Sequence, residues 1–301
     1  MVALARERPA PVGLLWLFVL PFAALTAVFG VWPIVLSVQT SFTASASALK
    51  PSPTWVGLAN YASIFADPVF LASLWRTLLY TLLAVISTLS LALLYALLLN
   101  SVSIGRGRTF FKLAVFLPVV TPDIAGYVVW RWLYDQSIGA INVALGVLHL
   151  PAFGGLASTS TVLPALLVAE SWHHLGFYVF IFLANLALCD KGQIEAATMD
   201  GANEAQILFS VVLPLAMPVV ATASIITFLL NWAQWLPVLV VSRSPDTYTL
   251  PVALMNLNGE LGVNFQGIMA LSVLTTIPVT IFFLIAQRRV MSGMTAGAVK
   301  G

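Results

Sequence analysis

Six long apolar runs limit what this chain can fold into more than any other feature it has. They lie near residues 13–38, 74–99, 113–134, 161–188, 214–241 and 265–286. Each reaches the ~20 mostly apolar residues that a helix needs to cross a bilayer. The runs are continuous and do not alternate, which argues against the strands of a membrane barrel. Only 8% of the 301 residues are charged, where soluble domains carry about 25%. The expected fold is therefore all-α: a polytopic membrane protein of six transmembrane helices. The first run follows Arg6 and Arg8 as the core of a signal peptide would. It is longer than such a core, and no small-residue cleavage site follows it cleanly, so it is read as a retained helix.

The distribution of charge gives the orientation. With the N-terminus in the cytoplasm, the inner stretches hold Arg6, Arg8, Arg106, Arg108, Lys112, Lys191, Arg288, Arg289 and Lys300, nine of 13 basic residues. The outer side keeps Lys50, Arg76, Arg131 and Arg243. The positive-inside rule then places both termini in the cytoplasm. The outer segments 43–60, 151–160 and 242–263 are short and rich in turn formers. The chain divides into a first helix with its external segment (1–73), a core transmembrane domain (74–290) and a cytoplasmic tail (291–301). There is no basic stripe of the kind that binds nucleic acid. The single Cys189 excludes an internal disulfide and a multi-cysteine metal site, and is expected to be a small buried apolar residue.

One cytoplasmic loop departs from the rest. Residues 190–204 (DKGQIEAATMDGANE) carry five acidic or basic residues out of 15. Glu195-Ala196-Ala197-Thr198-Met199 is fair helix material. Gly201 supplies a position that takes positive φ, residues 202–208 can be helical again, and Pro214 stands where the next span begins. The pattern predicts a short helix, a glycine turn and a second short helix, with an acidic end suited to docking in a groove.

Glu-Ala-Ala, three residues, Gly, nine residues, an aliphatic, any residue and Leu-Pro resembles the EAA loop of bacterial ABC importer permeases. Glu195, Ala196, Ala197, Gly201, Val211, Leu213 and Pro214 fit it, and Asp200-Gly201-Ala202 fits the core common in carbohydrate permeases. Trp55-Val56-Gly57-Leu58-Ala59-Asn60-Tyr61 with Phe65-Ala66-Asp67-Pro68, and Trp130-Arg131-Trp132-Leu133-Tyr134 with Gly139-Ala140-Ile141-Asn142, look like maltose-type and glycerol-phosphate-type permeases. Thr249-Leu250-Pro251-Val252, Gln287-Arg288-Arg289 and residues 295–301 look like the companion subunit of the same importers. Features of both suit either slot or self-pairing; a heterodimer with a second permease is the expectation.

The resemblance implies a permease subunit in the bacterial cytoplasmic membrane, moving a carbohydrate-like solute, or alternatively a glycerol phosphate, a polyol or another non-sugar solute. It implies a dimeric ATP-binding subunit that docks at Glu195, Ala196, Ala197, Asp200 and Gly201, and an extracytoplasmic solute-binding protein. The chain lacks a Gly-x-x-x-x-Gly-Lys phosphate loop. ATP and Mg therefore belong to the partner ATPase, and no cofactor, metal or catalytic residue is expected here. An intramembrane enzyme would need a motif such as Gly-x-Ser-x-Gly or His-Glu-x-x-His, and neither occurs.

Polar side chains inside spans are costly and face a cavity or a partner. They are Asp123 in the third run, Glu170, His173 and His174 in the fourth, and Asn231 and Gln234 in the fifth. Glu170, His173 and His174 share one helix face. A metal site, a proton relay, a structural hydrogen-bonded cluster and a cavity lining are all open readings of them. For Asp123, after Pro122, a partner to a local helix break is the plain reading. The resemblance to maltose-type permeases implies that His173, His174 and Phe177 line the cavity. It implies the same for Asn231 and Gln234, flanked by Trp232 and Trp235. Amides both donate and accept, which suits sugar hydroxyls, and indole faces suit sugar rings; packing against helices or lipid is the alternative for the two tryptophans.

Overall fold

The computed structural model describes residues 12–44, 52–100, 107–156, 158–188, 191–241, 247–256 and 265–298. The expectations for Cys189, Arg6, Arg8, Lys50, Arg106, Arg243 and Lys300 lie outside them, as do most of the 242–263 loop and the 299–301 end. Two compact units divide the chain, Met1–Ala66 with Leu257–Thr275 and Asp67–Asn256 with Thr276–Gly301.

In the first unit, α1 (Val12–Thr26) runs through a wide turn at Ala27–Val31 into α2 (Trp32–Ser41). The stretch Val19–Ser41 is apolar on all sides, as a helix bathed in lipid is. Thr43–Ala44 pairs antiparallel with Thr54–Trp55, and α3 (Ala59–Ala66) follows. The Trp55 to Tyr61 motif has a physical role here. The Asn60 amide donates to the carbonyls of Ser41 and Thr43 at 2.7 and 2.9 Å, satisfying groups at the end of α2. Ser41 and Tyr61 share a 2.6 Å hydrogen bond, and Phe42 stacks on Trp55.

The second unit is built on α4 (Pro68–Asn100) and α8 (Thr159–Leu188), which pack along one another. Ser73, Thr77, Thr81, Ala84, Thr88, Ala92 and Ala96 of α4 recur every three or four residues and are buried. Leu82, Ile86, Leu91, Leu94 and Leu98 point outward. Lipid is as apolar as leucine, so close backbone approach, and not burial of bulk, drives the packing. Gly176 of α8 serves the same end: any side chain there would press on the Val115 carbonyl and on Val119. One core gathers Tyr80, Tyr127, Tyr134, Val162, Leu166 and Val238; a second gathers Leu89, Ala96, Leu99, Tyr178, Val179 and Phe182.

Among the described residues, five helices are long and apolar enough to span a membrane, and a bent pair makes a sixth if it counts as one span. That pair corrects the third run as one straight helix and shows the local break expected before Asp123. α5 (Arg108–Phe116) and a tight turn at Pro118–Val120 meet α6 (Asp123–Leu133) at an angle of 103°. Thr121 is extended, as a residue before proline prefers, and Pro122 has no N–H to continue a helix. The fifth run is corrected too. After α9 (Lys191–Met199), α10 (Glu204–Ile207) and a wide turn at Leu208–Val212, α11 (Leu213–Trp232) stops at Trp232. Pro237 disfavours continuation, because its ring would press on the carbonyl four residues back, and it sits instead in the first turn of the next helix. A separate α12 (Leu236–Val241) packs against α6. The remaining helices are α7 (Ala140–Val147), α13 (Leu250–Asn256) and α14 (Phe265–Ala298). The Leu250 N–H donates to Thr77 Oγ1, and Arg76 Nη1 donates to the Tyr248 carbonyl, fixing the start of α13 to α4.

Candidate functional site

The break at Thr121 and Pro122 turns α6 so that its first two turns face the middle of α8. Asp123 opens α6, where its negative charge suits the helix N-terminus, and Arg131 sits in the last turn. Two carboxylate–imidazole pairs result. His173 Nε2 lies 2.9 Å from Asp123 Oδ1, and His174 Nε2 lies 3.0 Å from Glu170 Oε1. The Tyr127 hydroxyl donates to Glu170 Oε2 at 2.5 Å. α8 thus holds α6 at two points one turn apart, Asp123 and Tyr127.

Exposure differs within this cluster. Glu170 is 2% exposed and His173 5%, while His174 is 32% exposed and the Asp123 carboxylate 54%. Buried polar groups need partners, and both Glu170 oxygens have one. The two imidazole rings stand perpendicular with centroids 4.9 Å apart. Gln234, between α11 and α12, stands against the same Tyr127 hydroxyl. The structure therefore brings Asp123, Glu170, His173, His174 and Gln234 together. Phe177, one turn further along α8, is exposed.

Asn231 and Trp232 turn inward instead. Asn231 Nδ2 donates to the Thr227 carbonyl, and its buried Oδ1 has no hydrogen-bond partner among the described residues. Trp232 stacks on Phe228, which stacks on Phe282. Trp235 is exposed. Tyr127 carries no mark in the sequence as a site residue. Its one signal is the four-residue step from Asp123, which matters only if α6 begins there. Ser171 is another such residue, hydrogen-bonded to Thr88 at 3.1 Å between α8 and α4.

The charged loop folds as its composition predicts. Glu195, Ala196 and Ala197 lie in α9. Gly201 has φ +80°, its N–H donates to the Thr198 carbonyl, and the Ala202 N–H donates to the Ala197 carbonyl. This is a Schellman cap, which glycine accommodates without a Cβ penalty. α10 then opens with a reciprocal box: the Gln206 N–H donates to Asn203 Oδ1 at 2.9 Å, and the Asn203 N–H donates to Gln206 Oε1 at 2.8 Å. Asn203 and Gln206 are further residues that fix the loop, legible as Asn-x-x-Gln. Glu195, Ala196 and Asp200 are exposed, Ala197 is half-buried, and Met199 is 91% exposed. Ala197, Asp200, Gly201 and Gln206 help line a hollow of about 360 Å³.

A family model described as the inner membrane component of binding-protein-dependent transport systems matches residues 59–295. The sn-glycerol-3-phosphate transport system permease protein UgpA of Yersinia pestis biovar Antiqua is 32% identical over 211 residues, 68% of each chain. The arabinooligosaccharides transport system permease protein AraP of Halalkalibacterium halodurans is 34% identical over 224 residues, 73% of this chain and 68% of that one. A chain of a bacterial alginate ABC transporter, crystallised with an alginate pentasaccharide-bound periplasmic protein, is similar in fold. Its TM-score is 0.78 at 18% identity, over 91% of this chain and 92% of that one.

Proposed function

The chain belongs to the family of binding-protein-dependent transport inner-membrane components, and from that premise we propose that it forms the path for a carbohydrate-like solute in an ATP-driven importer. It is a multi-pass membrane permease subunit. The observation that carries the mechanism is the capped helix–glycine–helix loop ahead of α11. Motion of a docked ATPase has to reach the spans through a rigid element. α9 is held by its cap, and the chain runs from α10 through one wide turn into α11. Exposed Glu195 pairs with a basic residue of the ATPase, a charge-assisted contact, and Met199 gives an adaptable apolar contact beside it. ATP and Mg stay on that ATPase.

The solute class rests on chemistry and on likeness. The AraP relative is named for arabinooligosaccharides. His174, Gln234 and Phe177 offer donors, acceptors and an aromatic face from neighbouring elements. Asn231 contributes the buried Oδ1, and Trp232 and Trp235 flank it. Glycerol phosphate is the second reading, favoured by the UgpA likeness. A second, different permease subunit completes the path, a solute-binding protein delivers from outside, and both termini lie in the cytoplasm. The test is uptake of labelled arabino-oligosaccharides in a strain lacking the chain, restored by the wild type. The Asn231→Leu, Gln234→Leu double variant should reach the membrane at wild-type level yet lose at least about tenfold in uptake, the scale of one or two lost polar contacts. Undiminished uptake would remove these amides from the path.

A further inference from the structure

We propose that Asp123 is a charge filter at mid-depth of the path, so that the solute passed is an uncharged polyhydroxylated molecule and not a phosphate ester or a uronate. This rests on the reading of the chain as a solute path and narrows the solute class. His173 is at the centre of the 30-residue α8, about 21 Å from its ends by helical rise. The Asp123 carboxylate, 2.9 Å from the His173 ring, shares that depth. A carboxylate 54% open at such a depth is not tolerated against hydrocarbon, so its open side faces protein or a water-filled cavity, and on the path reading it faces the cavity. The break beside it gives the same aspect independently, since non-helical backbone inside a membrane lies against protein or a water-filled cavity.

Among the described residues, the ion pairs of this cluster are with histidines, and no lysine or arginine pairs with Asp123. Arg131 is eight residues along α6, about 12 Å by helical rise, with Nη1 on the Val240 carbonyl. Glu170 stands behind as a second carboxylate, tied to α6 through Tyr127. The other titratable neighbours, His173 and His174, each face one carboxylate. Two carboxylates and two imidazoles sum to a charge between minus two and zero, and never to a positive one. An anion meets repulsion or indifference there. A neutral polyol donates hydroxyl protons to the carboxylate.

The test reads charge at the path directly, without the binding protein's own selectivity. Cys189, the only cysteine, is replaced by Ala, and Phe177→Cys is introduced in the assembled importer in membranes. Rates of modification by a cationic trimethylammonium-ethyl and an anionic sulfonatoethyl methanethiosulfonate are compared with those of a free thiol. The pH is about 8.5, above the ordinary imidazole range. The cationic reagent should be favoured about tenfold, and Asp123→Asn, which keeps size and a hydrogen bond to His173, should bring the ratio within about twofold of the free thiol. Labelling without charge preference, or a preference that Asp123→Asn leaves unchanged, overturns the filter while the path reading stands. A thiol unreactive to both and to a neutral reagent of similar size takes Phe177 off any watery path, and both readings fall. Should Asp123→Asn fail to assemble, a salt series on Phe177→Cys replaces it. The preference must shrink as salt screens it, and a salt-independent preference overturns the proposal.

Discussion

Glu170 is the residue on which the polar cluster turns. It is almost wholly enclosed, yet both oxygens are engaged, one by Tyr127 of α6 and one by His174 of its own helix. Removing it strands the buried Tyr127 hydroxyl, a loss on the order of 1–3 kcal/mol, and leaves the part-exposed His174 without its carboxylate. Glu170→Leu should therefore lower the detergent-solubilised melting temperature markedly, while Glu170→Gln, which can still accept from Tyr127, should fall only slightly. Thermal unfolding followed by intrinsic fluorescence checks this, and equal losses would deny Glu170 its paired role. The sequence shows Glu170, His173 and His174 on one helix face, because three- and four-residue spacing is a local property. It does not show which partner each takes. Tyr127 and Asp123 reach them only through the 103° bend, a feature of tertiary geometry.

The helices carry their own signals unequally. The capped loop is legible down to single residues: Gly201 takes the positive φ that the Glu-Ala-Ala-x-x-x-Gly pattern requires, and Asn203 with Gln206 form a local box. Asn203→Ala should cost about 1 kcal/mol at that cap, seen as faster hydrogen exchange at the Gln206 amide; unchanged exchange would count against the cap. The break in the third run is legible, since Pro122 marks a local helix break before Asp123 in the sequence. That in the fifth run is not, because apolar residues run on past Trp232 and hydropathy is blind to Pro237. α4 shows a largely reversed pattern, with mostly small residues inside beside Tyr80, Leu89 and Leu99, and most of its exposed face built of leucines. Ala92→Leu, at a fully buried site, should overpack it by about 1–3 kcal/mol. Leu94→Ala, on the exposed face, should change stability little. The pair is compared by melting temperature, and the opposite order would mean that α4 turns its other face to the bundle.

At the scale of the whole molecule, the apolar runs point to the spans, and the basic residues beside them predict both termini on the cytoplasmic side. Reporter fusions after Lys300 and Ser158 should report opposite sides of the membrane, and one side for both would reverse the topology. The solute is less legible, because the proposed path, shared with a second subunit, would be lined only in part by this chain. The partners that the break before Asp123 brings together are set by tertiary geometry. On the proposed function, the α9 to α11 segment transmits the work of a separate ATPase to the spans. Substrate-stimulated ATP hydrolysis by the complete importer in membranes tests it most directly. Gly201→Val puts a β-branched side chain at φ +80°, costing on the order of 1–2 kcal/mol or more in that region. The account predicts that Gly201→Val, and Glu195→Lys by charge reversal, abolish stimulation by substrate and weaken co-purification of the ATPase. Wild-type stimulation and wild-type assembly in both variants would contradict it.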